Sequence, residues 1–170
     1  GHSFGEYLAL YAAGSLTAED MLTVVGARGR LMAEAAESCS GAMAAVLTDA
    51  ATTQSFIERN GLAVVIANYN TPSQTVISGA AEEIERAVKL AAEDGIGAKR
   101  LAVSGAFHSS QMEEASRQFA KILKDIPFRA PGILVSSNTT AQVYPAKPAA
   151  MRELLARHLV EPVRFVDQVS

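Results

Sequence analysis

Apolar positions along this chain switch repeatedly between helical and strand spacing, and each switch marks an element. Residues 5–13 (GEYLALYAA) predict a helix that Gly14 stops, because glycine tolerates the left-handed geometry of a C-cap. Thr17 and Asp20 form a capping-box-like pair that opens a second helix to about residue 37. Ala42–Leu47 is a short apolar run with strand character, and residues 50–59 look helical. Leu62–Asn68 and Thr75–Ser78 predict strands joined across the turn residues Asn70-Thr71-Pro72-Ser73. Residues 81–94 place Ile84, Ala87, Val88 and Ala91 on one helical face, with Gly95 ending it. Lys99–Val103 predicts another strand, and Ser110 with Glu113 a second capping box for a helix to about Asp125. Ile133–Ser136 predicts a buried strand, and Pro148 starts a last helix to about Leu159.

The order β-α-β-β-α-β over residues 41–103 is the ferredoxin-like one, in which two helices cover one face of an antiparallel sheet. Elements of another α/β body flank it, so the expected division is 41–103 as an inserted small subdomain within 1–40 and 104–170.

Composition narrows the classes. With 170 residues and 49% hydrophobic positions the chain has material for a packed core, which excludes intrinsic disorder. Its 15 Lys and Arg against 18 Asp and Glu leave a net charge of −3, which argues against bulk binding of nucleic acid or an anionic membrane. The lone Cys39 builds neither a disulfide framework nor a thiolate metal site, so a reducing, cytoplasmic setting is expected. No apolar run approaches the ~18 residues of a membrane span, and no signal-peptide pattern opens the chain. The first residue is Gly1 rather than Met, and the chain is expected to be a piece of something longer.

Gly1-His2-Ser3-Phe4-Gly5 fits G-x-S-x-G and runs straight into a helix. A serine on a tight, strained turn needs small neighbours so that the backbones can pass. The helix N-terminus then lends positive potential to a developing oxyanion, with the Phe4 N–H as the natural donor. A glycine-rich turn with no chemistry would give the same five letters. Serine also needs a base. Of three histidines, His2 adjoins Ser3 and points elsewhere, while His158 near a helix end is an ordinary site for a cationic or surface histidine. His108, between a strand and a capped helix, is the better base, although a histidine there can also simply satisfy backbone groups.

The second helix carries an anomaly. Its apolar stripe runs Met21, Val24, Val25, Arg28, Met32 and Ala35, so Arg28 points where the core should be, whereas Arg30 faces solvent near Glu34. A guanidinium stays charged and demands an anionic partner: a structural carboxylate elsewhere in the chain, or the free carboxylate of a substrate.

Together these segments resemble the acyltransferase domain of fatty acid and polyketide synthases, the malonyl-CoA:acyl carrier protein transacylase family. The resemblance spans the chain through GHSFGEYLALYAAG (1–14), GARGRLM (26–32), GAMAAVL (41–47), NYNTPSQTVISG (68–79), GAFHSSQM (105–112) and EPVRF (161–165). It implies an α/β-hydrolase-like large subdomain, incomplete here, with an inserted ferredoxin-like one, and a site in the cleft between them. Ser3 would be the acylated nucleophile, His108 its base, and Arg28 the clamp on a malonyl carboxylate. Asn70 and Met112 would lie at the site, and the main chain of His158 would orient His108.

The family's Gly-Gln-Gly segment, source of a second oxyanion donor, is not in this sequence, which also stops before the family's C-terminal end. Malonyl-selective polyketide domains carry His-Ala-Phe-His where this chain has Gly105-Ala106-Phe107-His108, and methylmalonyl-selective ones have serine for the phenylalanine. Phe107 should therefore favour malonyl, with Gly105 a departure from the pattern. SNTTA (137–141) and HLVEPVRF (158–165) resemble polyketide synthases more than stand-alone fatty acid enzymes. The implied reaction moves malonyl from CoA to the phosphopantetheine thiol of an acyl carrier protein, beside neighbouring synthase domains and with no metal or bound cofactor. Three alternatives stand beside it: a fatty acid synthase malonyl transacylase, a serine hydrolase with Asp94 as its acid, and a non-catalytic docking module.

Overall fold

The computed structural model describes residues 1–170. Strands β1 (Gly41–Val46), β2 (Val64–Thr71), β3 (Gln74–Ala80) and β4 (Ala98–Arg100) form one sheet in the order β2-β3-β1-β4. Every neighbouring pair is antiparallel. Helices α3 (Ala50–Arg59) and α4 (Ala81–Glu93) share one core with this sheet.

Strand alternation explains that layering. Ala42, Ala44 and Val46 of β1 join Ile66, Ile77, Phe56 and Ile84 in the core under the helices. The intervening Met43 faces the other way, with Ala67 and Val76, and packs near Leu101 and Phe107. Both faces of β1 are covered, so its sequence reads as a continuous apolar run. The predicted elements from 41 to 95 all form. β4 is shorter than expected: the Leu101 N–H still donates to the Met43 carbonyl at 2.9 Å, but residues 102–104 leave the sheet edge and are exposed.

Around this unit the chain is helical: α1 (Gly5–Ala12), α2 (Ala18–Ser38), a 3₁₀ turn (Ser110–Met112), α5 (Glu113–Leu123), α6 (Pro148–Arg157) and α7 (Phe165–Val169). Tyr7, Leu10, Val24, Leu31, Met112, Phe119, Leu123, Met151, Leu155 and Leu159 pack into their core. Thr17 caps α2 as expected, accepting from the Asp20 N–H at 3.1 Å.

Two expectations need correction here. The cap before α5 is Ser109, not Ser110: the Ser109 hydroxyl accepts from the Gln111 N–H, and a 3₁₀ turn precedes the helix. Ile133–Ser136 is not a buried strand. Ile133 and Leu134 are 62% and 84% exposed, and only Ser136 makes a bridge, to Val143. An apolar run makes a strand only beside another strand, and no sheet lies next to it among these residues.

The body is stitched to the sheet by Val163. Its N–H donates to Ala67 and its carbonyl accepts from Tyr69, both at 2.8 Å, extending the β2 edge in parallel.

Candidate active site

Ser3 and His108 both occupy left-handed backbone, at φ 47° and 55°, which costs a non-glycine residue about 1–3 kcal/mol. The tight elbow at Ser3 needs Gly1: a Cβ there would lie 2.4 Å from the carbonyl carbon and oxygen of Gly5. Beyond the elbow, the Gly5, Glu6 and Tyr7 N–H groups already bond to His2, Ser3 and Phe4, while the Phe4 N–H finds no partner. It points out of the first turn of α1 as a free donor.

The Ser3 hydroxyl donates to His108 Nε2 at 3.0 Å, although the two residues stand 105 positions apart. His108 Nδ1 lies 2.9 Å from the His158 carbonyl and 3.1 Å from the Glu161 carbonyl. Carbonyls only accept, so the proton sits on Nδ1 and Nε2 presents its lone pair to serine. Burial, aided by the Arg28 charge, pushes the His108 pKa down to about 4, which keeps the imidazole neutral and base-competent at pH 7.

Arg28 is 8% exposed and its Nη2 donates to Ser3 Oγ at 3.1 Å. Its guanidinium lies over the Tyr7 ring, 5.4 Å from the centroid. None of the ion pairs in the protein involves it, and its Nε is buried without a partner. The structural-carboxylate alternative therefore has no carboxylate. Arg30, in contrast, pairs with Glu34 at 3.1 Å in solvent.

Ser3, His108 and Arg28 open together into a cavity of about 450 Å³. Asn68 adds a polar group to its wall, and Met32, Met43, Leu101 and Phe107 make it apolar elsewhere. The cavity lies between α2 and the helix-free face of the sheet. A Cβ at Gly105 would fall 2.8 Å from the Ala36 Cβ and 3.0 Å from the Phe107 ring, so the glycine seats that ring against α2.

Several expected residues fall elsewhere. Asn70 is not in the cavity wall; its side chain accepts from His2 Nε2 at 2.8 Å and donates to Gln74 at 3.2 Å. Asn68 takes that place because of a bulge: Ile66 pairs with Ile77 but Asn68 with Val76, which turns Asn68 to the cavity side. Met112 is fully buried in the helical core rather than at the site. His158 is no surface cation: it is wholly buried, and burial holds its pKa well below the usual value. Asp94 pairs with Arg59 on the surface and does not orient His108.

Glu6, Asn138 and Glu161 were not singled out by the sequence. The Ser3 N–H donates to Asn138 Oδ1 at 2.5 Å, and the Asn138 N–H donates to Glu6 Oε2 at 2.7 Å. Glu6 is fully buried, and burial pushes its pKa up to about 7 although the Tyr144 hydroxyl and Asn138 N–H pull it down. A signal existed for Glu6, which shares the buried stripe of α1 with Leu10 at helical spacing.

This geometry agrees with the comparison to known proteins: residues 1–170 match the acyl transferase domain family from end to end. The chain belongs to that family. It is 42% identical over 172 residues to the polyketide biosynthesis protein ThaF of Burkholderia thailandensis, covering 99% of this chain and 14% of that protein. It is 41% identical over 177 residues to the malonyl CoA-acyl carrier protein transacylase of Bacillus subtilis, covering 100% of this chain and 55% of the relative. The crystal structure of the Burkholderia pseudomallei malonyl CoA-acyl carrier protein transacylase superposes with a TM-score of 0.92 at 40% identity, over 99% of this chain and 57% of that one. A malonyl-transacylase solved in complex with its type II polyketide synthase acyl-carrier protein also reaches 0.92, at 34% identity, over 99% of this chain and 56% of that one. The acyl transferase domain here thus spans little more than half the length of such relatives, and far less of ThaF, with the mixed α/β fold of the solved transacylases.

No helix is long and apolar enough to cross a membrane, and no group of His, Cys, Asp and Glu is arranged to hold a metal.

Proposed function

We propose that this domain transfers a malonyl group from CoA to the phosphopantetheine thiol of an acyl carrier protein, in polyketide biosynthesis, through an ester on Ser3. One observation carries the reading: Ser3 Oγ lies between a neutral imidazole and a buried guanidinium that has no carboxylate of its own. Ser3 Oγ attacks the thioester carbonyl as its proton passes to His108 Nε2. The tetrahedral oxyanion takes the Phe4 N–H. The C–S bond breaks, and His108 returns the proton to the departing CoA thiol. Arg28 holds the malonyl carboxylate, and the carrier thiol then attacks the ester with His108 moving the proton again. The His158 and Glu161 carbonyls hold the ring and stabilise its imidazolium form.

Phe107 fills the wall where an α-methyl would sit, which favours malonyl over methylmalonyl, and Gly105 lets its ring seat there. The strand order β2-β3-β1-β4 supports a ferredoxin-like subdomain at 41–103, with 1–40 and 104–170 belonging to an α/β-hydrolase-like body. The setting is cytoplasmic, with neighbouring synthase domains and a carrier protein as partners.

The test is a transfer assay with [14C]malonyl-CoA and a phosphopantetheinylated carrier protein. Label is expected on the carrier only with Ser3 present; hydrolysis to free malonate without carrier labelling would replace the reading with a hydrolase.

A further inference from the structure

We propose that Glu6 is a positioning residue whose buried carboxyl, acting through Asn138, holds the strained Ser3 elbow in its reactive geometry. This rests on Ser3 being the nucleophile of the proposed reaction. The Asn138 side chain spans the elbow: Oδ1 accepts from the Ser3 N–H at 2.5 Å, and Nδ2 donates to the Gly1 carbonyl at 2.8 Å. Those two bonds grip the chain on both sides of His2, immediately before and at Ser3, whose φ is positive. Asn138 is in turn fixed by its own N–H on Glu6 Oε2 at 2.7 Å, and by its carbonyl, which accepts from the Arg164 N–H at 2.8 Å.

Glu6 is anchored on its far side by the Tyr144 hydroxyl, so each carboxyl oxygen receives one donor. Glu6, Asn138 and Tyr144 are 0%, 0% and 4% exposed, so bulk solvent does not compete for these bonds. The same carboxyl touches the base side of the site. Its Oε2 lies 3.9 Å from His158 Nε2, and the His158 carbonyl is an acceptor for His108 Nδ1. His158 is neutral, so this is a packing contact rather than an ion pair. Both left-handed residues of the dyad are therefore braced by groups that converge on one buried acid.

Glu6 touches no reacting atom, so its effect must show in the rate of attack rather than in binding. The readout is phosphonylation of Ser3 in the full-length protein by a fluorophosphonate, which needs only a nucleophilic serine and no acyl donor. Glu6→Ala is expected to lower kinact about 100-fold, as a small misplacement of a reacting group does, with KI within about twofold. Glu6→Gln should recover most of that rate, because the amide oxygen can accept from Asn138 while the Tyr144 hydroxyl turns to accept from the amide. Should Glu6→Ala fail to fold, Asn138→Ala cuts the same link one step nearer Ser3 and is expected to lower kinact similarly.

A folded Glu6→Ala or Asn138→Ala protein labelled at the wild-type rate would overturn the proposal. So would a Gln variant no faster than the Ala one. Wild-type protein that takes the fluorophosphonate but no malonyl would count against the acyl-transfer reading alone, and the variants would still decide the role of Glu6.

Discussion

In the sheet with its two helices, residues 41–100, left-handed backbone occurs only at Gly61 and Gly95, whereas the surrounding chain places Ser3, His108 and Ala141 there. Glycine adopts that conformation without steric cost, so the sheet unit turns its corners unstrained. The body instead strains two of the residues that meet in the cavity and restrains them with hydrogen bonds they donate to Asn138 Oδ1 and to the His158 and Glu161 carbonyls. The difference separates two ways of building with one chain. The sheet unit is held by periodic burial of Phe56, Ile77 and Ile84. The body spends part of its packing on presenting a hydroxyl, an imidazole and a guanidinium at one point.

The comparison predicts that damage on the two sides will look different. Ser3→Ala should abolish acyl-enzyme formation, a loss of at least about 10⁴-fold, with the melting temperature little changed. A Ser3→Ala protein that still acquires an acyl ester would break the assignment. In the sheet unit, Phe56→Ala should cost about 3–5 kcal/mol of stability by opening a cavity, read from denaturant unfolding. The surviving folded fraction should label Ser3 at the wild-type rate; a slower rate per folded molecule would mean that the two regions are not separable in this way.

Arg28→Ala should reduce malonyl loading about 10–100-fold, the worth of a charge-assisted hydrogen-bonded pair, and leave acetyl loading nearly intact. Equal losses on both donors would sink the clamp. Phe107→Ser should shift the malonyl to methylmalonyl loading ratio toward methylmalonyl by about tenfold, within what one methyl contributes in a pocket. An unchanged ratio would move selectivity to another wall.

The smallest effect is a pH limb. In the proposed reaction His108 can serve as base only when neutral, and its pKa is lowered to about 4, so the neutral form persists below the usual value of 6.5 and is lost as pH falls through about 4. At pH 5.5 the loading rate should stay near its neutral value, where an unshifted histidine would already have lost about tenfold. The same sign governs stability: the unfolded chain protonates His108 and His158 first, so this pair destabilises the fold as pH drops below about 6.5. Glu6 works the other way. Its pKa is raised to about 7, so its share of stability is greatest below the ordinary carboxylate range and fades as pH rises toward 7.

The sheet unit was legible because periodicity decides it. The short apolar run of β1 marked a strand buried on both faces, and the stripe on α4 appeared where Ile84, Ala87 and Ala91 are buried. Arg28 was legible for the same reason, as a charge out of place on a periodic stripe. Ser3 and His108 came from motif and position, which pointed to the pair but carried no information on their 3.0 Å contact. Asn68 was missed because a bulge breaks alternation, and no residue type announces that one. Ile133–Ser136 failed since a strand needs a neighbour that the run itself does not specify. Asn138 reaches Ser3 across 135 positions in a loop without periodicity, so only the folded chain brings it into view.

Acylation of Ser3 is tested most directly by intact-protein mass spectrometry after brief exposure to malonyl-CoA, with Ser3→Ala alongside. A malonyl-sized mass increase is expected on the wild-type protein and not on the variant. A folded wild-type protein that gains no mass, or a variant that gains the same mass, would contradict it.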